Sequence, residues 1–373
     1  MTFIIGWKEK NTVFIGGDIA ISRKRKLNLS NDVSIFGDKL INRTAKSINE
    51  ECYKIFEINE KMIIAFSGNV QPALEFIDNL KKYIDKDEIY KSLKNITDRT
   101  DAIKHEFTCI MGLKYPDGKN RLVSFNLYND NQLRNHEKPI SSGSLNSCYR
   151  KLSITICNKI ASNRNLNNHE ILTTVVAHHQ SLIIRNKLID QGVGGTFVGC
   201  FLDEKPIWQK DTTLLLFDIT PGEEETESID PHKVFTKTMV VAYQIRNKII
   251  RLATPFGSDS EARRNIYNCF QIPRSDKDFI NNKDLIVGWF ENHYEETNSN
   301  FESGKSDFYV TICRSKKFPP RVCVISKEFL IQNNWEISAT GNGEFEFKIH
   351  KDYFIQIKPK KSQFAFNSRL WFK

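Results

Sequence analysis

The sequence lacks any pair of cysteines at metal-ligand spacing. Eight cysteines are scattered through 373 residues, and no two stand as C-x-x-C. Their scatter argues for reduced thiols rather than a disulfide framework or a zinc site. His178 and His179 are adjacent and point in different directions on a helix, so they do not share a metal. No metal and no cofactor is expected. No run approaches the apolar length of a membrane span. The opening apolar run, Phe3 to Trp7, is too short for a secretory signal, and no basic segment precedes it. No internal repeat is found. These absences lead to the expectation of a soluble, cytoplasmic protein with no membrane partner.

What is present is enough core for one large or two ordinary domains. Hydrophobic residues make up 40% of the chain, and the net charge is +9. Part of that charge is the run Arg23-Lys24-Arg25-Lys26. Such runs contact phosphate backbones in some proteins. Here no aromatics are interleaved with the basic residues, as they are in single-strand binders. The run is read as a solvated loop, and nucleic acid is not an expected partner.

Periodicity predicts strands over 2–7 and 12–16, joined by the polar turn Lys8-Glu9-Lys10-Asn11. Residues 22–50 read as a long polar loop. Strands are predicted over 54–58 and 62–66, then a helix over 70–84, where Ala73, Leu74, Phe76, Ile77, Leu80 and Tyr83 recur at helical spacing. Strands at 107–113 and 122–127 flank a turn at Pro116-Asp117-Gly118. Two helices at 146–162 and 168–189 precede strands at 197–201 and 212–217. This order predicts an α+β domain over 1–217, with a sheet packed on helices. The character changes after Asp218. Residues 220–230 are acidic and look like a boundary. Residues 233–250 read as strand or helix, and strands are predicted at 308–313, 322–325, 345–349 and 353–357. Residues 218–373 form a second, mixed and strand-rich region of unknown function.

Several pieces of the first region make one pattern. Thr2-Phe3-Ile4-Ile5-Gly6, Val13-Phe14-Ile15-Gly16-Gly17-Asp18, Lys54-Ile55-Phe56-Glu57-Ile58-Asn59 and Ile64-Ala65-Phe66-Ser67-Gly68 occur in that order. Thr2 precedes Asp18 by sixteen positions, and Lys54 precedes Gly68 by fourteen. The order and both spacings resemble the proteasome β-type Ntn hydrolases, including the bacterial HslV and Anbu peptidases. Gly143-Ser144 before a helix, and Asp190 with Gly194-Gly195 before a strand, match in order too. The resemblance covers roughly residues 2–217. It departs from the family in a longer stretch between Asp18 and Lys54, in Ala20, and in Val193, where a supporting serine is common. Lys39 and Lys46 compete for the lysine role, and Lys54 is preferred for the strand pattern that follows it.

The resemblance implies a four-layer αββα sandwich and a threonine-type peptidase. An ordinary threonine hydroxyl needs an adjacent base. An N-terminal threonine carries one in its own α-amine, whose unperturbed pKa is near 8, provided Met1 is removed. By resemblance, Lys54 is the cation beside that amine, Asp18 orients Lys54, and the Gly68 N–H is the oxyanion donor. Ser144 and Asp190 position the amine or its water. The substrate-binding positions are Ile21, Ser22, Cys52, Phe56, Phe66 and Val70, with Phe66 at the floor of a shallow pocket. The implied partners are a polypeptide substrate and further copies of the chain, with an unknown protein at the C-terminal region. Two other readings stand beside this one. One is a catalytically silent scaffold whose C-terminal half recognises a partner. The other is an Ntn amidohydrolase of a small amide, which an open monomer favours and a closed oligomer disfavours.

Overall fold

The computed structural model describes residues 2–24, 46–49, 54–85, 88–161, 166–217, 239–246, 249–256, 263–269, 307–313, 322–328, 337–339 and 347–349. The chain divides into two compact units. The first comprises Met1–Ile183, Lys187–Gln209 and Cys269–Ile272; the second takes most of the chain from Lys210 onward. The protein is α+β.

The first unit opens with a hairpin, β1 (Phe3–Glu9) and β2 (Thr12–Asp18). Its two-residue turn puts Lys10 at a positive φ of 52°, the backbone twist that tight hairpins require. Every described residue of β2, and β1 up to Trp7, is buried. That explains why these strands read as near-continuous apolar runs instead of alternating, since both faces are covered. The polar stretch expected to be a loop contains two short paired strands, β3 (Ile21–Lys24) and β4 (Lys46–Asn49). Next come β5 (Ile55–Asn59) and β6 (Met62–Gly68), then the helix α1 (Val70–Tyr83). Five of the six predicted apolar positions of α1 are buried, while Tyr83, its last residue, is exposed because it lies at the helix end beyond the packed face. Lys81 and Lys82 stand in the last turn, where they complement the helix dipole. A second helix, α2 (Ile89–Thr97), was not expected. It is short and mostly charged or polar, and only Ile89, Leu93 and Thr97 are buried.

The strands β7 (Phe107–Lys114), β8 (Asn120–Phe125) and β9 (Leu133–His136) complete an antiparallel sheet in the order β5-β6-β7-β8-β9. β10 (Ile140–Gly143) returns to pair with β1. Then follow α3 (Ser147–Ala161), α4 (Asn168–Arg185), a 3-10 turn at Leu188–Gln191, β11 (Phe197–Leu202) and β12 (Pro206–Trp208). The second sheet has the order β10-β1-β2-β11-β12. The two sheets face each other closely. A Cβ at Gly6 would lie 2.6 Å from Ile110 and 2.8 Å from Leu122, and one at Gly112 would lie 3.0 Å from Val13. On the outer face of the first sheet, α1 packs through Phe76 and its other buried residues onto Phe56, Ile64, Phe66, Phe107 and Phe125. On the outer face of the other sheet, a Cβ at Gly199 would meet Leu172 of α4 at 2.5 Å.

The second unit holds β13 (Thr212–Phe217), β14 (Met239–Arg246), β15 (Ile249–Phe256), β16 (Arg263–Cys269), β17 (Phe308–Cys313) and β18 (Val322–Ser326), in the order β16-β15-β14-β13-β17-β18. β13 pairs antiparallel with β14 and parallel with β17. The expected first domain ended at 217, after this strand; the structural division falls before it. A small pair, β19 (Ile337–Ala339) and β20 (Phe347–Ile349), follows. The ambiguous segment 233–250 contributes β14. The acidic boundary 220–230 and the strand expected at 353–357 lie outside the described residues. No helix among the described residues is long and apolar enough to cross a membrane.

One side chain of α4 stacks on both β1 and β11. His179 stacks on Phe197 at 4.8 Å and on Phe3 at 5.9 Å. Its Nδ1–H donates to the Val175 carbonyl at 2.8 Å, and among the described residues Nε2 has no hydrogen-bond partner. Burial pushes its pKa down to about 4. The folded value lies below the unfolded one, so protons favour the unfolded chain. The stability it contributes is present above pH 6.5 and is lost as pH falls toward 4. By linkage the loss reaches about 2–3 kcal/mol near pH 4.5. His179→Phe should therefore flatten the fall in urea-unfolding stability between pH 7 and 4.5. An unchanged pH slope in that variant would refute the assignment.

Candidate active site

Thr2 lies just before β1, with its side chain on the face of the hairpin that meets the other sheet. It is buried. Three of its polar atoms are held. The backbone N–H donates to Ser144 Oγ at 3.2 Å. The carbonyl accepts from the Ser144 N–H at 2.7 Å. The hydroxyl Oγ1 accepts from the Gly68 N–H at 3.2 Å. The threonine hydroxyl thus sits directly at a backbone donor.

Asp18, at the end of β2, is fully buried and receives four hydrogen bonds. Oδ1 accepts from the Phe3 N–H at 2.8 Å and from Lys54 Nζ at 2.5 Å. Oδ2 accepts from the Gly194 N–H at 3.1 Å and the Ala20 N–H at 3.3 Å. Lys54 is equally buried. Removing two ions from water costs several kcal/mol each. Good geometry and a full set of donors are what make such a pair tolerable, since a hydrogen bond to a charged group contributes about 1.5–3 kcal/mol.

Two glycines set the backbone around Thr2. Gly68 has φ +99°, and a Cβ there would run into the Glu106 carbonyl. That carbonyl instead accepts the Asn69 N–H at 2.9 Å. Gly143 has φ +124°, and a Cβ there would collide with the Thr2 carbonyl. Both conformations are ones that side chains rarely adopt. Neighbouring groups brace the same turns. Ser67 Oγ lies 2.7 Å from Ser142 Oγ, joining the strand that carries Gly68 to the one that leads to Ser144. Arg150 of α3 donates to the carbonyls of Leu145, at 2.8 Å, and Gly143.

The structure therefore brings Thr2, Asp18, Lys54, Gly68 and Ser144 together. Asp190 lies in the 3-10 turn, half-buried, and its amide donates to Lys187. No hydrogen bond joins its carboxylate to Thr2 or Ser144 among the described residues. Phe66 and Phe56 are buried in the core under α1, ring centroids 6.1 Å apart. Val70 opens α1 and is half-buried, and Ile21 is buried. Ser22 belongs to β3 by its backbone. Cys52, Lys39 and Met1 lie outside the described residues, and Lys46 begins β4. Reading from spacing did not single out Ser67, Ser142, Arg150 or the Gly194 donor. The Gly194-Gly195 pair was the one visible signal for the last. The thiols of Cys109, Cys157 and Cys200 are buried, and burial pushes all three up, so none is a thiolate nucleophile at neutral pH.

No protein-family model matches this chain, and no curated protein matches it in sequence.

Gly143→Ala tests the approach of the Thr2 carbonyl to this turn. The substitution should push Thr2 away from Ser144 and lower stability by about 1–3 kcal/mol, the range for a strained backbone position. Thermal unfolding of Gly143→Ala against Gly118→Ala measures this. At Gly118 φ is also positive but the space is open. Equal melting temperatures for the two variants would show that the steric conflict is not the controlling factor.

Proposed function

We propose that the protein is an N-terminal threonine hydrolase, a self-assembling proteasome-like peptidase built on an αββα Ntn-hydrolase sandwich. One observation carries this reading: the Thr2 hydroxyl accepts the Gly68 N–H while the Thr2 nitrogen contacts Ser144 Oγ, beside the buried Asp18–Lys54 pair. A strand-initial threonine serving only the fold has no need of a buried ion pair at its back.

Once Met1 is removed, the Thr2 nitrogen becomes a free amine. It takes the hydroxyl proton as Oγ1 attacks the carbonyl carbon of a peptide bond. The substrate carbonyl oxygen gains the negative charge and moves to the Gly68 N–H, a donor already aimed at the reaction centre. Collapse breaks the C–N bond, and the departing amine takes the proton from the Thr2 ammonium. The acyl group is left as an ester on Oγ1. Water, deprotonated by the same amine, then releases the acid and restores Thr2. Lys54 disfavours protonation of the amine through like charge, and Asp18 orients Lys54. Ser144 holds the nitrogen in line.

The protein should begin at Thr2, and intact mass should rise by one adduct with a threonine-reactive peptide electrophile. Thr2→Ala should abolish hydrolysis while leaving circular dichroism and the oligomeric mass by light scattering unchanged, above that of the 43.3 kDa chain. Thr2→Ser should retain activity, because hydroxyl and amine both remain. Lys54→Ala should cost nearly as much as Thr2→Ala, since members of one catalytic unit act together. An active preparation that still carries Met1 would sink the mechanism, because the nitrogen is then an amide.

The resemblance assigns Phe66 to the floor of the substrate pocket and Phe56 to its lining, and both are buried in the core under α1. A bulky apolar floor favours small or medium apolar side chains at the cleaved position and offers a charged one no partner. A panel of fluorogenic peptides should rank alanine, valine and leucine above arginine and lysine. The reverse order would refute the pocket assignment while leaving the nucleophile untouched.

A further inference from the structure

We infer that Gln180 is a positioning residue of the Thr2 site, an inference that rests on the hydrolase reading above. Gln180 stands on α4 and is fully buried. Both ends of its carboxamide act on one short segment. Oε1 accepts the Phe197 N–H at 2.7 Å, and Nε2 donates to the Gly195 carbonyl at 3.1 Å. That segment begins at Gly194, whose N–H donates to Asp18 Oδ2, and ends at Phe197, which sits opposite Asp18 in the β2–β11 register. Gln180 thus holds the backbone on the far side of Asp18, and Asp18 in turn holds Lys54 and the Phe3 N–H.

The choice of residue is informative. A buried carboxamide is costly unless both of its ends are satisfied, whereas a leucine or methionine would fill the same volume at no such cost. Yet an apolar residue would leave the Phe197 N–H and the Gly195 carbonyl unmade, and Gly195 has φ +68°, a conformation with no regular ladder to hold it. The segment that supports Asp18 is therefore held by one side chain. The preceding residue, His179, stacks on both Phe3 and Phe197. Two consecutive residues of α4 thereby reach the strand that follows Thr2 and the segment that supports Asp18. No reacting atom touches Gln180, so its effect passes through the placement of Asp18 and Lys54.

The test compares full-length wild type with Gln180→Met and Gln180→Glu. The glutamate variant keeps the acceptor for Phe197, loses the donor to Gly195, and nearly preserves shape, so it serves if the methionine variant does not fold. Asn120→Leu is the control for mere destabilisation. It removes carbonyl contacts to Asn11, Leu202 and Asp203 at the opposite end of β1 and β2. Three quantities are read: the rate of Thr2 acylation by a peptide electrophile, kcat and KM on a fluorogenic peptide, and amide exchange of segments 2–5 and 194–198. Gln180→Met is expected to lower kcat and the acylation rate roughly 10- to 100-fold, the scale of a small misplacement. KM should stay within about twofold, with faster exchange in both segments, while Asn120→Leu keeps wild-type acylation per folded molecule. Wild-type kinetics in both Gln180 variants, or the same loss in Asn120→Leu, would overturn the assignment. A wild type with free Thr2 that is never acylated overturns the hydrolase reading instead, and the positioning role falls with it.

Discussion

The contact between Asp18 and Lys54 is the constraint around which the first unit is arranged. A buried ion pair is tolerated only when every exposed lone pair and proton finds a partner. For Asp18 those partners come from four separate places: β1, the chain after β2, the segment before β11, and Lys54 before β5. One end each of β1, β2, β5 and β11 must therefore meet near one point. The close approach that allows this depends on the small residues between the sheets, since a side chain at Gly6 or Gly112 would force them apart.

Thr2 is buried and fastened at nitrogen, hydroxyl and carbonyl, so its atoms are held in one geometry. The neighbouring groups make the same point. Gly68 and Gly143 take positive φ values so that backbone can approach backbone, and Arg150 and Ser67 brace the turns that contain them.

Much of the first sheet pair was legible. The runs in β1, β2 and β6 are strongly apolar, and the helical spacing in α1 is strict, so local pattern and burial agree. The misses have physical causes. The strands β3 and β4 are short and polar, and they exist through pairing with each other. The helix α2 carries only three buried residues, too few to set a clear period. The strand β13 has an ordinary apolar pattern, but which sheet it joins depends on partners far along the chain, β14 and β17. At the site, the residues that the resemblance pointed to through two spacings, Thr2, Asp18, Lys54 and Gly68, are brought together by hydrogen bonds. No hydrogen bond among the described residues joins Asp190 to Thr2.

By itself, then, the sequence determined most of the elements of the first sheet pair and the residue types that the proposed chemistry uses: a threonine at position two, an aspartate after the second strand, a lysine before the next pair, and glycines where turns fall. Those features are local, and periodicity and spacing carry them. Only the tertiary structure decided that Asp18 faces Lys54 with three backbone donors around it, that Gly143 yields to the Thr2 carbonyl, and that Gln180 holds the segment behind Asp18. A glutamine in a helix has no motif, and a backbone donor has no side chain to read. Their roles arise when distant segments are packed closely enough that each buried polar atom must find its partner across the fold.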